Sequence, residues 1–264
     1  MTEPRIIKRV IVGYGVTGES IARFLASRQI AFDVVDTRDN VDASESLLAS
    51  AEGLGSVVKG ATACAELVAS ADEIYLSPGI GVEEFRAHYK VPAAAKMTGD
   101  LDLMMQFANA PVVLVTGSNA KTTVTTLVGE IAREANIAVG VGGNIGRPML
   151  DLIDEACALY VLEISSFQLE RVAGLRSKIA TVLNVSDDHL DRHQTMAAYA
   201  EIKQRVYENA EIVVFNREDP LAQPNTAVLN SSAIKINFGL AKPANDDSAS
   251  QCAARYCAVS YTHL

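Results

Sequence analysis

The sequence is poor in everything that would hold a chain in an oxidising compartment. Its four cysteines, Cys64, Cys157, Cys252 and Cys257, form no CxxC pair. A disulfide framework or a zinc site is therefore not expected, and a reducing cytoplasm fits best. No apolar run approaches the roughly 18 residues of a membrane span. The opening segment, MTEPRIIKRVIVGYG, passes straight into strand-like sequence, so no secretory signal is expected. Positive charge is in short supply too, with 23 Lys and Arg against 32 Asp and Glu and a net charge of −9. Bulk charge of that sign attracts neither nucleic acid nor an anionic membrane, although local basic pockets for phosphate stay possible. There is no internal repeat and no long linker. What the chain does have is apolar material, 49% of 264 residues, enough for about two domains with packed cores.

Short apolar runs alternate with longer amphipathic ones. Arg9–Val12, Ala31–Asp36 and Ile74–Leu76 read as strands, with a helix over Glu19–Ser27. This alternation predicts an α/β fold with a parallel sheet covered by helices, and residues 1–97 form one such unit. The second unit, 98–264, holds strand candidates Pro111–Val115, Leu159–Glu163, Ala180–Asn184, Glu211–Asn216 and Ala233–Phe238. Its helices are expected over Lys121–Ala135 and Thr195–Asn209. The tail 244–264 breaks the pattern, and the chain reads as an incomplete piece of a longer protein whose last residues are of doubtful origin.

Two loops carry phosphate chemistry. Gly13-Tyr14-Gly15-Val16-Thr17-Gly18 is a GxGxxG between a strand and a helix, with Asp36 at the end of the next strand, where a ribose-binding acid belongs; taken alone this suggests a dinucleotide. Glycines permit a close backbone approach to phosphate, and the helix N-terminus favours an anion. The pattern alone leaves the nucleotide open. Val115-Thr116-Gly117-Ser118-Asn119-Ala120-Lys121-Thr122-Thr123 has the layout of a P-loop, in which Lys121 reaches the β/γ-phosphates and Thr122 is placed to ligate Mg²⁺. The loop departs from GxxxxGK[ST] at Val115 and Ala120. An NAD dehydrogenase has no use for this second loop.

Polar groups gather beyond the strands that follow. Gly142-Gly143-Asn144-Ile145-Gly146 reads by default as a flexible turn, and functionally as a close-approach loop beside the phosphates. Glu163 ends a strand at the ligand-binding edge, where it suits Mg²⁺. His189, within Asn184–His193, is a candidate for a metal or transition-state role. On a helical wheel Lys203 falls inside the apolar arc with Met196, Tyr199, Ile202 and Val206. Either it snorkels along a rim, or it is a buried lysine open to modification into an anionic ligand.

The segments Gly117-Ser118-Asn119-x-Lys121-Thr122-Thr123, Gly143-Asn144-Ile145-Gly146, Glu163-x-Ser165-Ser166-Phe167-Gln168-Leu169 and Asn184-x-x-x-Asp188-His189-Leu190-Asp191-Arg192 together resemble the Mur ligase family. The resemblance implies a Rossmann-like N-terminal domain followed by an incomplete P-loop central domain, with the D-glutamate-binding C-terminal domain absent. It also implies ATP-dependent addition of D-glutamate to UDP-N-acetylmuramoyl-L-alanine through an acyl phosphate. In that reading Lys121 holds phosphates, and Thr122 and Glu163 hold one Mg²⁺. His189 and a carbamylated Lys203 hold a second Mg²⁺. Asn144, Ser165 and Gln168 line the substrate channel. The uridine nucleotide falls to Gly15, Val16 and Thr17 together with Asp36-Thr37-Arg38 and Ser77-Pro78-Gly79. The enzyme is expected to act as a cytoplasmic monomer, with the fragment alone inactive. Ala120 stands where the family has glycine, so a positive φ there would cost on the order of 1 kcal/mol. A folylpolyglutamate-synthetase-type ligase and a non-catalytic nucleotide-binding fragment stay open as alternatives.

Overall fold

The structure, a computed structural model, describes residues 7–153, 156–188 and 190–240. His189 and the expected tail 244–264 lie outside the described residues.

The first half alternates strand and helix as β1 (Arg9–Val12), α1 (Val16–Ser27), β2 (Asp33–Asp36), α2 (Glu45–Ala51), β3 (Val57–Lys59), α3 (Ala61–Ala69), β4 (Glu73–Leu76), α4 (Val82–His88) and β5 (Lys96–Thr98). All pairings are parallel, in the order β3-β2-β1-β4-β5. After α5 (Asp100–Phe107) come β6 (Val112–Thr116), α6 (Lys121–Glu134), β7 (Val139–Gly143), β8 (Leu159–Glu163), α7 (Ser166–Arg171), β9 (Ser177–Val182), α8 (Leu190–His193), α9 (Met196–Gln204), β10 (Ala210–Asn216) and β11 (Ile234–Phe238). The second sheet is also wholly parallel, in the order β11-β10-β9-β6-β8-β7.

Burial explains why the central strands read as continuous apolar runs. All five residues of β6 are buried, because the strand is paired on both edges and covered on both faces. In each sheet the order reverses beside one strand, β1 in the first and β6 in the second. Ligands of such sheets bind in the crevice beyond that strand's C-terminal end, and the two phosphate loops leave β1 and β6 there. One apolar cluster runs from Ile11, Ile21 and Leu25 through Leu101 and Met149 to Leu162 and Val213, and so joins the two sheets. Polar contacts across the join include Ser20 Oγ to Asp151 at 2.8 Å and Arg23 to Asp151 at 2.7 Å.

Three expectations need correction. Gly142 and Gly143 are not in a turn: they end β7, where Gly143 pairs with Glu163. Close backbone approach, not flexibility, explains the glycine at 143, since a Cβ would lie 2.3 Å from the Glu163 carbonyl oxygen. The strand expected to reach Asn184 stops at Val182. The helix expected through Asn209 is α-helical only to Gln204, then tightens into a 3₁₀ turn over Arg205–Tyr207.

Candidate active site

The loop after β6 turns through Ala120, whose φ is 63° in the left-handed region, and enters α6 at Lys121. Lys121 Nζ donates to Ser118 O at 3.0 Å. One residue on, Thr122 Oγ1 donates to Glu163 Oε2 at 2.8 Å. Glu163 reaches this point because β8 runs parallel to β6, with Val115 opposite it. Its other oxygen accepts from Asn144 Nδ2 at 3.0 Å. Thr122 and Asn144 thus converge on the carboxylate of Glu163, a residue only 1% exposed. The loop is pinned from behind by the segment after β9. Ser118 N donates to Asn184 O at 2.9 Å, Asn119 N to Asn184 Oδ1 at 2.8 Å, and Asn119 Nδ2 to Ser186 Oγ at 3.0 Å. The sequence reading gave neither Asn184 nor Ser186 a role, although both stand in the segment it singled out. Thr116 is buried; Thr123 is exposed on the first turn of α6.

Lys203 does not snorkel. It is 1% exposed, donates from Nζ to Gly117 O at 2.8 Å, and lies 4.5 Å from the centre of the Tyr199 ring. Burial, then the nearby charge of Lys121, pull its pKa down to about 7. Tyr199 stacks with His193, and His193 with Phe167, with Ser166 Oγ 3.0 Å from His193 Nε2. The helix positions of this column were legible, but not that aromatic rings would fill the space between Lys203 and α7.

Ser165 and Gln168 form a capping box at the start of α7. Ser165 N donates to Gln168 Oε1 at 3.0 Å and Gln168 N to Ser165 Oγ at 3.2 Å. Gln168 Nε2 donates to Asp100 Oδ2 at 2.8 Å. Both ends of the buried Gln168 amide are therefore engaged within the protein, and burial raises the Asp100 pKa.

The first phosphate loop is held by Asp36. Its carboxylate accepts from Tyr14 N at 2.9 Å and, at 2.9–3.0 Å, from the backbone N–H, Nε and a terminal nitrogen of Arg38. The Arg38 hydrogen bonds are the main reason its pKa falls to about 2. Asp36 is thus engaged inside the loop, whereas the Arg38 side chain is 66% exposed and open to an anion. Gly15 and Val16 are exposed at the tip, and Thr17 is half-buried. Ser77 N donates to Val12 O at 3.1 Å, which brings Ser77-Pro78-Gly79 beside Gly13; Thr37 is half-buried next to Arg38.

The donor set at the P-loop suits a hard cation. Thr122 Oγ1 and Glu163 offer oxygen ligands at the start of a helix, where phosphates bind, and Mg²⁺ usually keeps several waters and phosphate oxygens besides one or two carboxylates. Among the described residues no group of three or more His, Cys, Asp and Glu side chains forms a metal site.

The left-handed alanine gives a direct test. Ala120→Gly should leave the melting temperature and ATP affinity unchanged or raise them, because glycine adopts φ near 63° without the Cβ penalty of about 1 kcal/mol. A tenfold loss of ATP affinity on calorimetry would contradict this.

A family profile described as Mur ligase middle domain matches residues 115–261, and one described as Mur ligase MurD-like, N-terminal domain matches residues 7–99. UDP-N-acetylmuramoylalanine--D-glutamate ligase from Pseudomonas aeruginosa is 46% identical over 238 residues, which cover 89% of this chain and 51% of that protein. The protein of the same name from Haemophilus ducreyi is 44% identical over 214 residues, covering 81% of this chain and 48% of its own length. The chain spans about half the length of the curated relatives it matches. Among solved structures, UDP-N-acetylmuramate:L-alanyl-gamma-D-glutamyl-meso-diaminopimelate ligase from Neisseria meningitides shares the fold. It has a TM-score of 0.56 at 16% identity and covers 89% of this chain and 79% of that one. The matched stretches contain the GxGxxG loop, the P-loop and the buried carboxylate between Thr122 and Asn144, and the chain belongs to the Mur ligase family.

Proposed function

We propose that this chain supplies the nucleotide-binding parts of an ATP-dependent ligase that adds D-glutamate to UDP-N-acetylmuramoyl-L-alanine, a cytoplasmic step of peptidoglycan synthesis carried out by a monomer. Residues 1–97 take the uridine nucleotide, and residues 98–264 contribute the ATP side. The observation that carries the reading is the buried Glu163 carboxylate, shared by Thr122 of the P-loop and by Asn144. It is supported by relatives at 41–46% identity that carry the name UDP-N-acetylmuramoylalanine--D-glutamate ligase.

Each group then has a task that follows from its chemistry. The substrate carboxylate must attack the γ-phosphate of ATP, forming an acyl phosphate and releasing ADP; the D-glutamate amine then attacks the acyl carbon, and inorganic phosphate leaves as the amide bond forms. Two anions have to approach, so the site's work is positioning and charge neutralisation. Lys121 sits at the helix start to meet β- and γ-phosphate oxygens. Glu163 and Thr122 would hold Mg²⁺, which neutralises phosphate charge. His189 and Lys203 would serve a second ion once the Lys203 amine adds CO₂, forming an N–C bond and releasing one proton. A pKa near 7 supports that step, because the neutral amine is the form that adds CO₂. Exposed Arg38 is suited to the diphosphate, while Asp36 shapes the loop.

Calorimetric titration of UDP, UDP-N-acetylmuramoyl-L-alanine and NAD tests the nucleotide assignment. The UDP compounds should bind at least tenfold more tightly than NAD. Tighter binding of NAD would overturn it.

A further inference from the structure

Arg171, the last residue of α7, has no place in the chemistry above, yet it is among the most fully engaged side chains in the protein. It is 7% exposed, and its five N–H donors meet five main-chain carbonyls. Nε donates to Phe167 O at 3.0 Å. One terminal nitrogen donates to Leu76 O and Ser77 O at 2.6 and 2.9 Å, the other to Pro78 O and Ile80 O at 3.0 and 3.2 Å. Four of the five acceptors therefore belong to the strand end and loop that follow β4. Within the loop the Ile80 N–H also donates to Ser77 O at 3.0 Å, and Arg192 reaches Ile80 O at 3.4 Å, but Arg171 is the side chain that gathers all four carbonyls.

That loop borders the first phosphate site. Ser77 packs so closely on the GxGxxG turn that a Cβ on Gly13 would lie 2.3 Å from Ser77 Oγ. At its other end, α7 begins directly after Glu163-Ile164-Ser165, so the residues from 163 to 171 run from the P-loop's buried carboxylate to the loop beside Gly13. We propose that Arg171 is a positioning residue for the uridine-nucleotide site, gathering the carbonyls of residues 76–80 so that the loop after β4 is held against the GxGxxG turn. The assignment of the ligand as a uridine nucleotide rests on the reading under Proposed function; the holding of the loop does not.

Lysine cannot replace this residue. Its ammonium has three donors on one atom and cannot span four carbonyls that a planar guanidinium reaches from two nitrogens. The test titrates UDP and ATP calorimetrically into the wild-type chain and into R171K, R171M and Gly99→Ala. It also follows amide hydrogen exchange at Ser77 and Ile80, whose N–H groups donate to Val12 O and Ser77 O. Gly99→Ala is the milder variant, because its Cβ would lie 3.1 Å from Arg171 Cδ and must push the stem aside. R171K should bind UDP at least tenfold more weakly, and Gly99→Ala three- to fivefold, with ATP affinity within twofold of wild type and faster exchange at both amides. If R171M does not fold, the other two variants decide. UDP affinity within twofold of wild type in folded R171K and Gly99→Ala, with exchange unchanged, overturns the proposal. Faster exchange in R171K together with a wild-type chain that does not bind UDP keeps the holding role and removes the uridine reading.

Discussion

Gly18→Ala is expected to lower the stability of the chain by about 3 kcal/mol or more, while Gly15→Ala, three residues earlier in the same motif, should change it by no more than about 0.5 kcal/mol. A Cβ on Gly18 would lie 2.0 Å from the Gly13 carbonyl oxygen and 3.1 Å from its carbon. Both are backbone atoms, so no rotamer change relieves the overlap, and α1 would have to shift away from the end of β1. A Cβ on Gly15 meets nothing within 4 Å, and its φ of −72° suits any residue. The exposed Gly15 is instead where a phosphate would approach, so Gly15→Ala should fold normally and lose UDP affinity. Urea unfolding of the two variants decides the matter: equal midpoints would mean that the third glycine of the motif is not a packing glycine here.

Replacing Lys203 with methionine is expected to remove a large pH dependence from the folding equilibrium. The folded lysine titrates near 7, well below its ordinary value of 10.5, because it is buried and faces Lys121, with Asp188 and Glu163 opposing. Between about pH 7 and 10.5 the unfolded chain therefore holds a proton that the folded chain has released. Stability contributed by this group rises with pH across that window, at up to about 1.4 kcal/mol per pH unit. Below pH 7 both states are charged, and the full penalty of burying an ammonium is present. The Lys203→Met chain should lack this rise, so the difference in unfolding free energy between the two chains should swing by several kcal/mol from pH 6.5 to 9. A constant difference would mean that Lys203 stays protonated in the fold, paired more strongly than the Gly117 carbonyl alone allows.

Much of this was legible beforehand because it depends on local pattern. Strand–glycine–helix punctuation located both phosphate loops, and the apolar arc of α9 marked Lys203 as an inward lysine. Glu163 was legible as a strand-terminal acid. What it touches was not, since Thr122 and Asn144 arrive from two other elements through the β6–β8 and β7–β8 registers. The capping box explains why Ser165 and Gln168 were read only as channel residues: the sequence Ser-x-x-Gln is short, and the Gln168 partner, Asp100, is 68 residues away. Short elements such as α2, β3 and β5 carry too few periods to stand out. The default reading of Gly142-Gly143 as a turn failed because a glycine run signals a turn unless one knows that another strand lies against it.

Every strand pairing described is parallel, and that has a kinetic consequence. A parallel pair cannot be closed by a hairpin. Arg9 must find Glu73 across 64 residues before β1 and β4 join, and β6 must wait for β9 from beyond β7, β8 and α7. Chains dominated by such distant pairings fold slowly and keep unpaired strand edges in solvent for longer than chains closed by hairpins. Among the described residues β11 lies at the edge of the second sheet, with Ile234, Ile236 and Phe238 exposed. Recovery from a denaturant should therefore fall steeply with protein concentration, as encounters at that edge compete with completion of the sheet.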